Sequence, residues 1–311
     1  MIATTRLTRR FGTFTAVDSL TLQVSPGEVF GFLGPNGAGK TTVMRMLAAL
    51  IAPTEGDARV AGFDVRRDGH RIRQVVGILT EAPGLYRKLS ARENLRFYAK
   101  LYGVRDPDAR ATAMLQRLQM EASQDVPVGR FSKGMTQKIA IARALIHDPQ
   151  LVFLDEPTSG LDPEAAFLVR EFIANLKAQG KTVFLCTHRL EEAERLCDRV
   201  AVFRRKILAL DTPQELRRGR FGSRTLIELS RHDDTLVEAV RSLPFVAAVQ
   251  WRKAPPSASP TLIVTLGDPR TQNPELVRRL VDRGAEIRFV REEQASLEQA
   301  YLSLTGSLNL D

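Results

Sequence analysis

The sequence is poor in cysteine and has no long apolar run. It contains two cysteines, Cys186 and Cys197, and neither has the spacing of a metal ligand. No stretch approaches the roughly 18 consecutive apolar residues that a spanning helix needs, and the first residues, MIATTRLTRRF, lack the apolar core of a signal peptide. These absences argue against a disulfide scaffold, a cysteine metal centre and a membrane-spanning segment. We therefore expect structural thiols in a cytoplasmic protein.

Length and composition are those of a globular protein. The 311 residues are 43% hydrophobic and 26% charged, which is enough apolar material for one large core and a smaller second one. We therefore expect two domains.

The net charge of +9 is unevenly distributed. Residues 221–311 carry 11 Lys and Arg against 12 Asp and Glu, whereas the first 220 residues carry 34 against 24. The basic character therefore belongs to the first part alone. A phosphate-rich small molecule, anionic lipid headgroups or a nucleic acid would each be attracted by such a surface, so charge alone does not choose among them.

Strand and helix patterns alternate through the first two thirds of the chain. Short apolar runs predict buried strands at 27–34, 75–80, 151–156 and 181–187. Helical spacing predicts a helix at 40–50 and a helical subdomain at about 82–148, which a capping box at Ser90 and Glu93 opens. This alternation is typical of an α/β domain with a mixed, largely parallel central sheet.

After Gly219 the pattern changes. Residues 224–311 show the order strand, helix, strand, strand, helix, strand, followed by a last helix near SLEQAYLSL. That order is typical of a small ferredoxin-like α+β unit. Because no catalytic group of residues is visible in it, we expect an accessory domain for dimerisation or regulation, after a first domain of residues 1–219.

The segment GPNGAGKTT carries the first chemical signal. It matches the phosphate-binding pattern G-x-x-x-x-G-K-[ST] of P-loop NTPases, after a predicted strand and before a predicted helix. Its backbone N–H groups can converge on phosphate oxygens, Lys40 adds a point charge at the terminal phosphates, and the Thr41 hydroxyl can bind Mg²⁺. The predicted phosphate-binding residues are Gly34, Pro35, Asn36, Gly37, Ala38, Gly39, Lys40, Thr41 and Thr42.

Two carboxylates follow the predicted strand in LVFLDEP. Asp155 and Glu156 would be poor core residues but suit the neighbourhood of a phosphate. In a nucleotide site we expect Asp155 to hold Mg²⁺ in its outer shell and Glu156 to orient and deprotonate the attacking water. The alternative is that both are solvated turn acids. Together with the phosphate loop, the pair predicts hydrolysis of a Mg²⁺-bound nucleotide.

The segment FSKGM at 131–135 narrows this interpretation. Ser132 lies 23 residues before Asp155 and begins a segment of helical spacing. Taken together, these motifs make residues 1 to about 218 resemble the ATP-binding subunit of an ABC transporter. In that family this stretch, usually LSGGQ, holds the γ-phosphate of an ATP bound to the opposite subunit. The resemblance assigns Ser132 and Gly134 to that contact, at a helix N-terminus able to bind an anion.

The resemblance extends to three further positions. Phe11 stands where the family stacks an aromatic ring on adenine, with Phe14 as the alternative. Asp162 matches the loop that contacts the partner subunit, although an Asp before Pro is also an ordinary N-cap. His188, at the end of a predicted strand, matches the residue that senses the γ-phosphate.

Three positions depart from the usual family pattern. Glu81 replaces the glutamine that joins Mg²⁺ and the attacking water to the helical subdomain. A glutamate can still bind Mg²⁺ but cannot donate a hydrogen bond when ionised, and a loop acid without a catalytic part is the alternative. Lys133 and Met135 replace a glycine and a glutamine in FSKGM. The form SKGM resembles the two-component exporters, whose permease is a separate chain.

The resemblance implies a function and its partners. We expect a homodimeric ATPase that binds ATP and Mg²⁺ between its subunits and drives a separate integral-membrane permease at the cytoplasmic face of the cell membrane. We expect no nucleic-acid partner. The rival interpretation is a soluble ATPase of the same superfamily acting on nucleic acid or ribosomes. Such proteins normally have a long coiled-coil insertion or a second phosphate loop, whereas one loop is visible here and the 91 residues between Lys40 and Ser132 show no heptads.

Overall fold

The computed structural model describes residues 1–80, 82–221, 223–252, 259–293 and 296–305. The chain forms two compact units, Met1–Pro213 and Gln214–Asp311. Within the described ranges, no helix combines the length and the apolar character needed to cross a membrane.

The first unit is an α/β structure with two sheets. Its strands are β1 (Ile2–Phe11), β2 (Phe14–Val24), β3 (Val29–Leu33), β4 (Glu55–Val60), β5 (Phe63–Asp64), β6 (Val76–Leu79), β7 (Leu151–Asp155), β8 (Thr182–Thr187), β9 (Arg199–Arg204) and β10 (Lys206–Asp211). Its helices are α1 (Lys40–Leu47), α2 (Gly69–Val75), α3 (Ala91–Leu101), α4 (Pro107–Arg117), α5 (Lys133–Ala144), α6 (Pro163–Ala178) and α7 (Leu190–Leu196), with 3-10 turns at Glu121–Ser123 and Val128–Arg130.

The larger sheet has the strand order β10-β9-β3-β8-β7-β6. Neighbouring strands are parallel except β9 and β10, so the predicted mixed, largely parallel sheet is confirmed. Strands β3, β7 and β8 are buried along their whole length, as their continuous apolar sequences require. Because β3, β7 and β8 are parallel, the segments that follow them leave the sheet at the same edge.

The smaller sheet is antiparallel, with the order β2-β1-β4-β5, and sequence reasoning missed it. One apolar core joins side chains of both sheets and helix α1. At its centre the Phe32 ring lies 4.5 Å from that of Phe203 and 5.3 Å from that of Phe184, between ring centroids. Both cysteines are buried and unpaired, and burial raises the pKa of each thiol, which keeps Cys186 and Cys197 in the unreactive form.

The segment between β6 and β7 is helical, as predicted, and carries α3, α4 and α5. Helix α3 begins with the predicted capping box: the Ser90 hydroxyl accepts from the Glu93 backbone N–H, and the Glu93 carboxylate accepts from the Ser90 N–H at 2.8 Å. The hydrogen bond from the Ser90 N–H is the main cause that lowers the pKa of Glu93. The capping box therefore determines where α3 starts.

The second unit is a ferredoxin-like α+β structure. After α8 (Pro213–Phe221), which begins at the boundary, its elements are β11 (Ser223–Leu229), α9 (Thr235–Arg241), β12 (Val246–Trp251), β13 (Thr261–Leu266), α10 (Pro269–Asp282), β14 (Ile287–Glu293) and α11 (Leu297–Thr305). The sheet is antiparallel with the order β12-β13-β11-β14. Apolar side chains of α9 and α10 form a core with this sheet. The predicted fold of this part is confirmed, whereas its role stays a prediction.

Candidate functional site

The predicted phosphate loop joins β3 to α1. Gly37 and Gly39 have φ angles of 78° and 104°, in the left-handed region that glycine adopts without strain. A Cβ on Gly39 would collide with the carbonyl oxygen of Ala16, so only glycine keeps this cradle open. Gly39 is also the N-cap of α1 and offers no side chain to its free N–H groups. The loop therefore presents backbone donors and a helix N-terminus to an anion.

Lys40 is buried although its ammonium is charged, with 6% of the residue exposed. Its Nζ donates to the carbonyl oxygens of Gly34 at 2.7 Å and Pro35 at 3.3 Å. It also lies 3.3 Å from Glu156 Oε1. A buried ammonium costs free energy unless it is paired, so these contacts hold Lys40 at the loop.

Thr41 and Asp155 meet at the end of β7. The Thr41 hydroxyl donates to Asp155 Oδ2 at 2.8 Å, although 114 positions separate them. These hard oxygen atoms are the kind that Mg²⁺ prefers. Among the described residues no cluster of three or more His, Cys, Asp or Glu could hold a metal ion. Mg²⁺ bound at a nucleotide usually takes several of its ligands from phosphate and water.

Glu156 is held in a constrained position between Lys40 and His188. Its φ angle is 49°, which is unfavourable for a residue with a side chain. Its backbone N–H donates to Cys186 O at 2.9 Å, and its Oε2 lies 2.9 Å from His188 Nδ1. Glu156 Oε1 is buried and makes no hydrogen bond, at ion-pair distance from Lys40. The charge of Glu156 is therefore balanced by the neighbouring ammonium of Lys40.

A cavity of about 600 Å³ collects most of the predicted nucleotide contacts, and it has the size of a ligand pocket. Its lining residues are Phe11, Phe14, Ala16, Pro35, Asn36, Gly37, Ala38, Gly39, Lys40, Thr41, Thr42, Asp155, Glu156, Ser159 and His188. Phe11 and Phe14 face each other as paired residues of β1 and β2 and are 47% and 46% exposed. Both alternatives for the adenine-stacking ring therefore stay open.

Three predicted residues form a second group. Ser132 is the N-cap of α5, where its hydroxyl accepts from the Met135 N–H at 3.2 Å. Asp162 is the N-cap of α6 and accepts from the Ala165 N–H at 2.8 Å. A Cβ on Gly134 would lie 3.9 Å from Asp162 Oδ2 and 4.0 Å from Ser132 Oγ, so the three residues are neighbours.

This second group lies outside the lining of the cavity. Of the described residues that line the cavity, none is Ser132, Gly134 or Asp162. Asp162 is an N-cap, as one of the two interpretations of its sequence predicted. This position does not conflict with a contact to a partner subunit. Glu81 lies outside the described residues.

Sequence reasoning missed three polar residues behind Glu156. The Thr158 hydroxyl donates to Glu192, and the Thr187 hydroxyl lies 3.4 Å from Glu192 and 3.5 Å from Glu156. Nothing in their spacing, 34 positions between Thr158 and Glu192, indicates this contact.

Comparisons with known proteins decide the family. The model of the ABC transporter family matches residues 17–159, which include the phosphate loop and the Asp155-Glu156 pair. The Nod factor export ATP-binding protein I of Rhizobium sp. (strain N33) is 36% identical over 301 residues, 96% of this chain and 94% of that protein. The chain belongs to the ABC transporter ATP-binding proteins.

Other relatives of this ABC subunit agree. The ABC transporter ATP-binding protein NatA of Bacillus subtilis (strain 168) is 44% identical over 207 residues, 64% of this chain and 84% of that protein. A solved ATP-binding subunit of an ABC transporter has 30% identity and a TM-score of 0.65, over 70% of this chain and 92% of that chain. A dimeric ATP-binding cassette in a post-hydrolysis state with ADP and Pi shares the fold, with 23% identity and a TM-score of 0.62, over 68% and 98%.

The family confirms the predicted class of function. This ABC subunit is an ATP-binding ATPase of the transporter family, with the predicted P-loop NTPase fold. The alternative, a soluble ATPase acting on nucleic acid or ribosomes, is not favoured by these relatives.

Proposed function

We propose that this ABC subunit works as a homodimer, binds two ATP molecules with Mg²⁺ at composite sites, and powers export by a separate membrane permease from the cytoplasmic face. The observation that carries the proposal is the separation of two residue groups within one chain. Lys40 and Glu156 line the cavity, whereas Ser132 and Gly134 lie outside its lining. In a closed dimer the second group of one subunit completes the cavity of the other. The name of one relative, a Nod factor export ATP-binding protein, supports export as the direction of transport.

The cavity residues have distinct parts in this proposal. Lys40 and the loop N–H groups bind the terminal phosphates. Thr41 and Asp155 would hold Mg²⁺, which neutralises phosphate charge when it is bound. Glu156 orients the attacking water and accepts its proton, and His188, 2.9 Å from Glu156 Oε2, contacts the γ-phosphate. Glu81 is proposed as a further Mg²⁺ ligand from the resemblance alone.

Ser132 and Gly134 act on the partner's ATP. The Ser132 hydroxyl and the backbone N–H groups at the N-terminus of α5, a 12-residue helix, can donate hydrogen bonds to an anion. Gln137 of this helix donates to Pro157 O at 2.7 Å, which ties α5 to the segment that follows Glu156. Closure of the dimer would therefore affect residues on both sides of the bound nucleotide.

Substitution of Glu156 tests the composite site. Glu156→Gln removes the base but preserves the shape of the side chain, so hydrolysis should fall by roughly 10² to 10⁴ while ATP still binds. A closed dimer should then accumulate, because the γ-phosphate that bridges the subunits is retained. Sedimentation with and without Mg-ATP measures this dimer.

Adding Ser132→Arg to the same chain should abolish the ATP-dependent dimer without unfolding the protein. Gln116→Arg, at an exposed position of α4, is the matched control for added charge and bulk. A Glu156→Gln chain that stays monomeric at saturating ATP would contradict the composite site. Equal dimerisation of the Ser132→Arg double variant would contradict it as well. If isolated subunits dimerise only when the permease holds them close together, the same test uses the subunits bound to the permease.

An aromatic surface on the helical segment is proposed as the permease contact. Its exposed side chains are Tyr86 at 49%, Phe97 at 41%, Leu101 at 67% and Tyr102 at 37%. The Tyr86 and Phe97 rings meet edge to face at 5.0 Å between centroids. Exposed apolar clusters of this kind mark interaction sites. Tyr86 belongs to the segment 82–89, which directly follows Glu81 in the sequence. We propose that this segment passes the nucleotide state to the permease.

Single cysteines at Leu85 or Tyr86 should crosslink to the permease in an active complex. The native thiols are buried, so the introduced one reacts selectively. Gln116→Cys, at an exposed position of α4, is the control. Absence of crosslinks from both loop positions would refute the docking assignment.

The second unit is proposed as the accessory domain. We assign residues 1–219 to ATP binding and 224–311 to dimerisation or regulation. The support is that the nucleotide-lining residues all lie in the first unit.

A further inference from the structure

Glu192 is a buried carboxylate behind the hydrolytic site. It lies in the first turn of α7, is 2% exposed, and is absent from the cavity lining among the described residues. Burial of a carboxylate costs free energy unless it is hydrogen-bonded or paired. Glu192 Oε1 accepts from the Thr158 hydroxyl and lies 3.7 Å from Arg189 Nη1. Its Oε2 lies 3.4 Å from the Thr187 hydroxyl.

The two threonines belong to the segments that carry the hydrolytic residues. Thr158 follows Glu156 by two positions, after β7. Thr187 ends β8 and directly precedes His188. One carboxylate therefore joins the segment after β7, the end of β8 and the start of α7.

The Thr187 hydroxyl stands between two carboxylates. It is 3.5 Å from Glu156 Oε2 and 3.4 Å from Glu192 Oε2, and it accepts from the Arg189 N–H at 3.0 Å. A hydroxyl has one proton to donate, so it serves one carboxylate at a time. Glu192 therefore determines both where this hydroxyl stands and how its proton is shared.

Glu156 needs such support because its backbone is strained. A left-handed φ of 49° on a glutamate persists only where the surroundings hold it. The hydrogen bond from its N–H to Cys186 O ties it to β8, the strand that ends at Thr187. Displacement of the end of β8 would move Glu156 and His188 together.

We infer that Glu192 is a positioning residue for ATP hydrolysis, which holds Glu156 and His188 in register through Thr158 and Thr187. This inference rests on the proposed role of Glu156 as the base. Glu192 does not touch the nucleotide, so it should affect the chemical step and leave ATP binding intact.

Glu192→Gln is the informative substitution. Its size is that of the native residue, but its single oxygen and donor nitrogen cannot accept from both hydroxyls as a carboxylate does. The expected result is a fall in kcat of about 10-fold to 100-fold, since small misplacement of a catalytic group is costly. The dissociation constant of ATP should not change. Glu191→Gln removes the same charge from an exposed position of the same turn and should match the wild type.

A double-mutant cycle separates a positioning role from a structural one. In the Glu156→Gln background, Glu192→Gln should cause a smaller further loss in single-turnover hydrolysis than in the wild-type background, because only His188 is still there to be misplaced. Thr158→Val should reproduce the loss in kcat, and its combination with Glu192→Gln should be no worse than either change alone. Melting curves show whether each variant is folded. If either Glu192→Gln or Thr158→Val is unfolded, the other of these two variants tests the inference. All rates are measured in the preparation in which the wild-type chain hydrolyses ATP.

The outcomes distinguish this inference from the proposed function. An unchanged kcat in Glu192→Gln overturns the inference, and so does an equal further loss in the Glu156→Gln background. A parallel loss of ATP affinity also overturns it, because the residue would then support the whole fold of the site. If Glu156→Gln itself hydrolyses ATP at the wild-type rate, it is the proposed function that fails.

Discussion

Asn94 organises the proposed permease-contacting loop with a single buried side chain. It is completely buried in the first turns of α3. Its Oδ1 accepts from the Tyr86 N–H at 2.8 Å. Its Nδ2 lies within donor distance of the carbonyl oxygens of Tyr86 at 3.0 Å, Leu89 at 3.2 Å and Ser90 at 2.9 Å. Asn94→Ala should therefore loosen residues 86–90 without touching the nucleotide site.

The expected cost follows from these contacts. The Tyr86 N–H would lose its partner in a partly buried hydrogen bond, which costs about 1 to 3 kcal/mol. The amide has two protons for its three acceptors, and two lost bonds cost about 0.5 to 1.5 kcal/mol each. The higher helix propensity of alanine returns about 0.5 kcal/mol. The sum is roughly 1.5 to 5.5 kcal/mol of local stability.

Amide hydrogen exchange measures this effect directly. Exchange of the Tyr86 amide should accelerate by about 10-fold or more, since each factor of ten corresponds to about 1.36 kcal/mol. Asn175→Ala, at an exposed position of α6, is the matched control and should leave that amide unchanged. ATP affinity should be retained. Equal protection of the Tyr86 amide in wild type and Asn94→Ala would refute the reasoning.

Three further outcomes are expected. A chain that ends near Arg220 should keep ATP binding and lose dimer stability or regulation, and loss of binding by a folded truncation would argue against the domain assignment. Burial lowers the pKa of His147 to about 4, below its ordinary 6.5. The unfolded chain therefore takes up the proton first, and stability falls as pH falls through this window. His147→Gln can still donate to Val76 O. It should reduce the loss of folding free energy over this pH window by about 1 to 3 kcal/mol, and an unchanged loss would contradict this. Phe11→Ala should weaken ATP binding by about 0.5 to 1.5 kcal/mol, and the same loss from Phe14→Ala alone would move the stacking role to Phe14.

Local sequence was sufficient for much of the fold and for the phosphate loop. The glycines of GPNGAGKTT, the capping box at Ser90 and Glu93, and the continuous apolar runs of the parallel strands each act within about one element, so their structure follows from nearby residues. The order of strands and helices in the second unit could be predicted from the sequence for the same reason. The antiparallel sheet of β1, β2, β4 and β5 was missed, because its strands alternate exposed and buried positions with register shifts and leave no continuous apolar run.

Only the tertiary structure decided which distant side chains share a site. Thr41 reaches Asp155 across 114 positions because β3 and β7 flank β8 in the sheet, and strand order cannot be read from spacing. The same packing buries Glu192 against Thr158 and Thr187, a contact for which the sequence has no local signal. The sequence by itself predicted a phosphate loop and a carboxylate pair, and the family of the chain confirms the predicted ATP binding. The fold determined that Ser132, the N-cap of α5, is not among the described residues that line that cavity, because the packing of a helix, and not its place along the chain, decides where its N-terminus lies.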